Sequence, residues 1–233
     1  FKRLERGIGL MCGVVAGFDP NGVDMIAFRK LLLQSMVRGQ HATGVSWFEN
    51  GKIRTIKDAV KANLFKMPKI DTIAIIGHCR YSTSDLQYNQ PISGKDFAIA
   101  HNGVVTQAPP EEWEERFALQ VTGKNDTELL LRAFEVDLHP LQAFPHASMA
   151  CAMVLNETDG AELGFFRNGQ RPLWYDYEDD DNRCWVASTK DIFVRAEITD
   201  HPKRCEAGHH YRVTEKNGYM AYQFVEGFED IQP

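Results

Sequence analysis

Met11-Cys12-Gly13-Val14-Val15 decides how this chain is read. Cys12 directly follows a methionine and heads an apolar run, and Met11 to Phe18 reads as a buried strand. If Met11 is the true start, its removal leaves Cys12 with a free α-amine. One residue then carries a thiol and a base, and a free amine serves as general base for its own residue's side chain. A thiol titrates near ~8.5 and an α-amine near ~7.7–8.0, so both lie close to neutrality. The pair is a self-contained nucleophile for attack on an amide.

The 233 residues fit one large domain or two small ones. With 43% hydrophobic and 11% aromatic residues the chain builds a substantial core, which excludes global disorder. A net charge of −6 disfavours nucleic acid as the main partner, because phosphate binding wants a basic surface. No apolar run reaches the length of a membrane span. The five cysteines (12, 79, 151, 184 and 205) are odd in number and form no CxxC pair. That argues against a disulfide framework or a structural zinc site, and no metal or other cofactor is expected. Reduced thiols and the lack of a secretory signal point to the cytoplasm. Residues 1–11 read as an N-terminal extension, either a propeptide or a cloning remnant, and 12–233 as the functional domain.

Along the chain, Asp24 to Val37 reads as a helix with Ile26, Leu33 and Val37 near one face. Thr43 to Phe48 and Lys52 to Lys57 flank Asn50-Gly51, a hairpin signal. Thr72 to Gly77 and Phe97 to Ala100 read as strands. Pro109-Pro110 precedes an acidic helix start at Glu111-Glu112. Asp126-Thr127-Glu128 opens a helix expected to run through Leu138, with Pro140 ending it. Six strand signals follow, at Ser148 to Leu155, Glu162 to Phe166, Leu173 to Tyr177, Cys184 to Ala187, His209 to Thr214 and Tyr219 to Val225. The acidic run Asp176 to Asp181 reads as a solvated hairpin loop, since it lacks the spacing and glycine of an EF-hand calcium loop. Strands, two helices and strands again predict two sheets with helical layers outside them.

Four further segments combine polar residues with glycines or a helix start: Arg38-Gly39-Gln40-His41-Ala42-Thr43-Gly44, Gly77-His78-Cys79-Arg80-Tyr81-Ser82-Thr83, His101-Asn102-Gly103 and Asn125-Asp126-Thr127-Glu128. Taken singly, each has a structural reading. Arg38 could cap a helix C-terminus, Asn102-Gly103 could be a turn and Asp126 could be an N-cap. In this order after Cys12-Gly13, they resemble the class II glutamine amidotransferase domain, the cysteine branch of the N-terminal-nucleophile (Ntn) hydrolases. Arg167-Asn168-Gly169-Gln170-Arg171-Pro172-Leu173, with Ala187-Ser188 beyond it, approximates a later motif of that family. The resemblance covers Cys12 to about Tyr211.

The resemblance implies an α+β fold: a four-layer αββα Ntn-hydrolase sandwich with two largely antiparallel sheets between helical layers. It implies glutaminase chemistry, in which the side-chain amide of L-glutamine is hydrolysed through a Cys12 thioester to give glutamate and ammonia. Asn102 and Gly103 would donate to the oxyanion. Arg80 would clamp the α-carboxylate through its planar fork, supported by Thr83, and Asp126 would pair with the α-ammonium. Arg38 would steady the nucleophile's surroundings. His78 and His101 are expected as satisfied core histidines, and Cys79, Cys151, Cys184 and Cys205 as core or surface thiols. Asn125 stands where serine is frequent, and Ser84 stands where the glucosamine-phosphate synthase branch has histidine. The loop Asp85 to Asp96 is a candidate lid. Most relatives fuse this domain to one that consumes the ammonia, so a synthase or ligase partner is expected here. Two alternatives stand beside it: an Ntn amidohydrolase acting alone on another small amide, and a catalytically silent regulatory module.

Overall fold

The computed structural model describes residues 11–81, 89–158, 160–216 and 218–229. β1 (Gly13–Phe18) leads into α1 (Met25–Ser35), whose first turn is capped by Asp24 accepting from the N–H groups of Ile26 and Ala27. β2 (Ala42–Glu49) and β3 (Lys52–Asp58) form the expected hairpin. Asn50 and Gly51 turn it with φ of 50° and 71°, the left-handed backbone that a two-residue turn requires. β4 (Ala74–Arg80), β5 (Ile92–Ser93) and β6 (Phe97–Val104) follow, then α2 (Trp113–Phe117), α3 (Thr127–Glu135) and α4 (Pro140–Ala143). The rest is mostly strand: β7 (Ser148–Glu157), β8 (Gly160–Arg167), β9 (Trp174–Glu178), β10 (Arg183–Ala187), α5 (Lys190–Arg195), β11 (Lys203–Arg204), β12 (His209–Thr214) and β13 (Met220–Phe224).

Among the described residues these strands make two sheets, ordered β11-β9-β10-β1-β4-β2-β3 and β13-β12-β8-β7-β6-β5. Neighbouring strands pair antiparallel throughout. Side chains alternate across each strand, so one strand feeds two cores. Val14, Ala16 and Phe18 of β1 and Ile76 of β4 meet Ala98, Ala100, Ala152, Val154 and Phe165 between the sheets. Val15 and Ile75 point the other way, against Phe28, Leu31 and Leu32 of α1 and Phe193 of α5. Ile99, Met149, Met153 and Phe166 on the outer face of the second sheet pack against Trp113, Leu129, Leu130 and Leu141 of α2, α3 and α4. The order of layers is helix, sheet, sheet, helix, the fold class expected from the sequence. Strands covered on both faces read as near-continuous apolar runs, which is why β1, β4 and β7 stood out.

Three readings of the sequence need correction. The buried face of α1 is Phe28, Leu31, Leu32 and Ser35, whereas Ile26 is 74% exposed and Val37 44%. Both sets satisfy helical spacing. The choice was made by the sheet, which offers Gly77 beneath Phe28 and Leu32 and Gly13 beneath Ser35. Second, α3 stops at Glu135 rather than Leu138, because Asp137 turns to φ 57°. Third, Pro140 opens the short helix α4 instead of ending α3, since proline suits a first helical position. The short elements β5, β11, α4 and α5 had no periodic signal to give. The acidic run is the tail of β9 and its turn, with Arg183 pairing to Glu178 across the hairpin.

Candidate functional site

The motif residues converge at one end of the two sheets. Cys12 lies just before β1, whose entry is pinned by two bonds to one residue: Val14 N–H donates to Ser188 Oγ at 2.8 Å and Ser188 N–H donates to Val14 O at 3.0 Å. Ser188, beyond the later motif, thus holds the strand behind Cys12 in place. β4 ends beside it at Arg80, with Gly13 opposite Cys79 in the ladder. The chain leaving α1 passes tightly over that end. A side chain on Gly39 would lie 2.3–2.5 Å from the backbone of Cys79, Arg80 and Tyr81. Arg38 does not cap α1; its Nε donates to Cys12 O at 3.0 Å.

The thiol of Cys12 lies 3.7 Å from Tyr81 O. Burial pushes it above the ordinary thiol range. The Tyr81 backbone, Arg80 and Arg38 pull it back, and Asp126 opposes them. A cation and an anion, Arg80 and Asp126, therefore both act on one thiol. Arg80 is buried and donates through Nη1 to Asn89 Oδ1 at 3.1 Å. Asp126 does not use its side chain as an N-cap; its Oδ2 accepts from Val105 N–H at 2.7 Å. Asn125 takes the capping role, accepting from Thr127 N–H at 3.0 Å, so the asparagine found where serine is frequent makes the same kind of bond.

From the second sheet come Asn102 and Gly103, at the end of β6 rather than in a turn. Asn102 is 1% exposed, and its Nδ2 is a buried donor with no partner among the described residues. Leaving such a donor unpaired costs about 1–3 kcal/mol, so the fold maintains it at a price in stability. Gly103 has φ 152°, and a Cβ there would fall 1.8 Å from Ser148 O. Only glycine fits.

The two histidines of these motifs part company. His101 is satisfied, with Nδ1 3.3 Å from Thr127 Oγ1 and Nε2 3.1 Å from Ser148 O. His78 is in the core as expected but not satisfied: both ring nitrogens lack a partner among the described residues. Burial, then the charges of Arg80 and His101, push it down to about 3, so the ring stays neutral. Cys79, Cys151, Cys184 and Cys205 are all buried and free, and burial raises each thiol. Thr83 and the first part of the candidate lid lie outside the described residues. From Asn89 onward that segment is fixed: Asn89 and Gln90 are buried, and β5 pairs with β6. Gln90 Oε1 also accepts from His101 N–H at 2.6 Å.

Ser148 and Arg171 had no role in the sequence reading. Ser148 Oγ accepts from Val104 N–H at 3.1 Å, holding the backbone just past Gly103. Arg171 Nε donates to that same hydroxyl at 3.2 Å. Arg171 sat inside a quoted motif, but Ser148 opens an apolar strand and carried no signal.

No family model matches this sequence, and no curated protein matches it. Solved structures match its fold. The glutamine phosphoribosylpyrophosphate amidotransferase of B. subtilis, solved with ADP and GMP, superposes with a TM-score of 0.68 over 91% of this chain at 18% identity. A structure described as the allosteric regulatory enzyme of purine biosynthesis gives 0.70 over 91% at 20% identity. This chain spans about half, 49%, of the length of each of those two. A glutamine aminotransferase class-II domain protein from Silicibacter pomeroyi gives 0.57 at 14% identity, covering 92% of this chain and 99% of that one. The fold is that of the class II glutamine amidotransferase domain. No helix among the described residues is long and apolar enough to cross a membrane.

Proposed function

We propose that residues 12–233 form a glutamine-hydrolysing domain with Cys12 as its nucleophile. The observation that carries this is the pair of opposite charges, Arg80 and Asp126, acting on one half-buried thiol. A free amino acid has a carboxylate and an ammonium on one carbon, and such a pair suits it. Arg80 takes the carboxylate, with Thr83 in support, and Asp126 the ammonium. The side-chain amide then lies toward Cys12. As the sulfur–carbon bond forms, the thiol proton passes to the α-amine of Cys12 and the carbonyl oxygen becomes an oxyanion. Asn102 Nδ2, held unpaired, and Gly103 N–H receive that charge. The amine hands its proton to the leaving nitrogen as the carbon–nitrogen bond breaks, releasing ammonia. Water hydrolyses the remaining thioester to glutamate. Arg38 steadies the nucleophile through the Cys12 carbonyl.

The scheme requires a free amine on Cys12, so residues 1–11 have to be removed. The ammonia is intended for an acceptor on a synthase or ligase, in keeping with fold neighbours of which this chain spans about half. The test is ammonia and glutamate release from glutamine by protein beginning at Cys12. Steady hydrolysis is expected there, with loss of activity in Cys12→Ala. Undiminished hydrolysis by Cys12→Ala ends the proposal.

A further inference from the structure

The proposed reaction needs the α-amine of Cys12 unprotonated, because only the neutral amine accepts the thiol proton. An ordinary α-amine, with a pKa near ~7.7–8.0, is mostly protonated at neutral pH. Two guanidinium groups stand where the chain enters Cys12. Arg38 Nε is 3.0 Å from Cys12 O. Arg171 Nη1 is 2.8 Å from Met11 Sδ, and its Nε is held by Ser148 Oγ. None of these partners is a carboxylate. The two cations also act on each other: burial first, and Arg171 among the charges, hold Arg38 below its ordinary range. A thioether is a weak acceptor for a guanidinium, and Met11 is the residue that processing removes. Its departure takes that partner away from Arg171 Nη1 at the point where the new terminus forms.

We propose that Arg171, acting with Arg38, is a positioning residue that keeps the α-amine of processed Cys12 unprotonated at neutral pH. This rests on the glutamine-hydrolysing reading. A like charge nearby disfavours the ammonium form, and no proton need be shed before each turnover. Among the described residues, the other groups around the amine are few. Arg80 at the end of β4 adds a charge of the same sign. His101 on β6 is held neutral by burial, with Arg171 acting in the same direction. His146 lines the cleft of about 390 Å³ that Arg171 shares with Val104, Gln107 and Gln170. Among the described residues, Asp126, ahead of α3, carries the opposite sign, and its Oδ2 is engaged by Val105 N–H.

Two measurements test this on protein beginning at residue 12. The first is kcat/KM for glutamine against pH. Arg171→Gln should move the acidic limb upward by about one pH unit, a tenfold loss below it with recovery at alkaline pH. Arg171→Lys, which keeps the charge, should retain the wild-type limb. The second needs no catalysis. In Cys12→Ala protein, the α-amine is titrated by its pH-dependent acetylation, read by intact mass. It should titrate below the ordinary range and return to it in Arg171→Gln. An amine whose titration ignores Arg171→Gln overturns the assignment. A depressed amine in a protein that never hydrolyses glutamine overturns the glutamine-hydrolysing reading alone and supports the role of Arg171.

Discussion

At the scale of single residues, the proposed function separates groups that bind from groups that stabilise charge. Asn102 Nδ2 has no partner to lose among the described residues, so on the proposed reading its replacement acts on the oxyanion. Asn102→Ala should lower kcat by roughly 10²–10³ with KM little changed, read by steady-state glutaminase kinetics. Arg80 is the reverse case. Arg80→Lys keeps the charge but loses the planar fork, and should raise KM for glutamine by about tenfold with a smaller effect on kcat. An unchanged KM would remove Arg80 from the carboxylate. The residues proposed for these roles were legible from residue types in order. The state of each residue was not. Arg38, Asn102-Gly103 and Asp126 all had a local structural reading, and the fold declined all three: the guanidinium reaches a carbonyl, the pair extends a strand and the carboxylate takes a loop N–H. Only distant chain segments made the difference, and no window of sequence contains them.

At the scale of elements, Glu128 ties the loop before α3 to the helix. Its carboxylate accepts from Thr122 N–H at 2.8 Å, Thr122 Oγ1 at 2.9 Å and Gly123 N–H at 2.7 Å, and pairs with Arg132 at 3.0 Å. Burial alone would raise this carboxyl, yet the bonds from Thr122 and Gly123 outweigh it and hold it below the usual range. A depressed carboxyl contributes stability above the ordinary carboxylate range, near ~4.3, and loses it as pH falls through the folded value. Glu128→Ala should therefore cost about 1–3 kcal/mol by urea unfolding at pH 7, with the gap to wild type narrowing toward pH 3. A gap that widens in acid would contradict the bonding. Long strands were readable because both of their faces are buried, and the Asn50-Gly51 hairpin because its turn dictates its residues. The face of α1 was not readable, since two apolar stripes fit one period and the glycines that chose between them lie on β1 and β4.

At the scale of the whole molecule, the site is divided between the sheets. Cys12 and Arg80 belong to one, Asn102 and Gly103 to the other, and small side chains such as Ala100 and Ala152 set the spacing between them. Ala152→Leu should cost about 1–3 kcal/mol by thermal melting and lower kcat out of proportion, because the thiol and its oxyanion donors move apart. Full activity in a destabilised protein would show that the spacing is tolerant. The strand behind Cys12 carries one further consequence. β1 lies between β4 and β10 and precedes both in the chain, so it gains its last neighbour only after Ala187. At ~5–20 residues per second, the ribosome needs on the order of ten seconds or more between the two. A nascent chain therefore carries its thiol for that time without Ser188 to hold it. The proposed nucleophile is therefore translated well before the strand that completes its setting, and a chain truncated before β10 would carry the thiol without Ser188 to hold its strand.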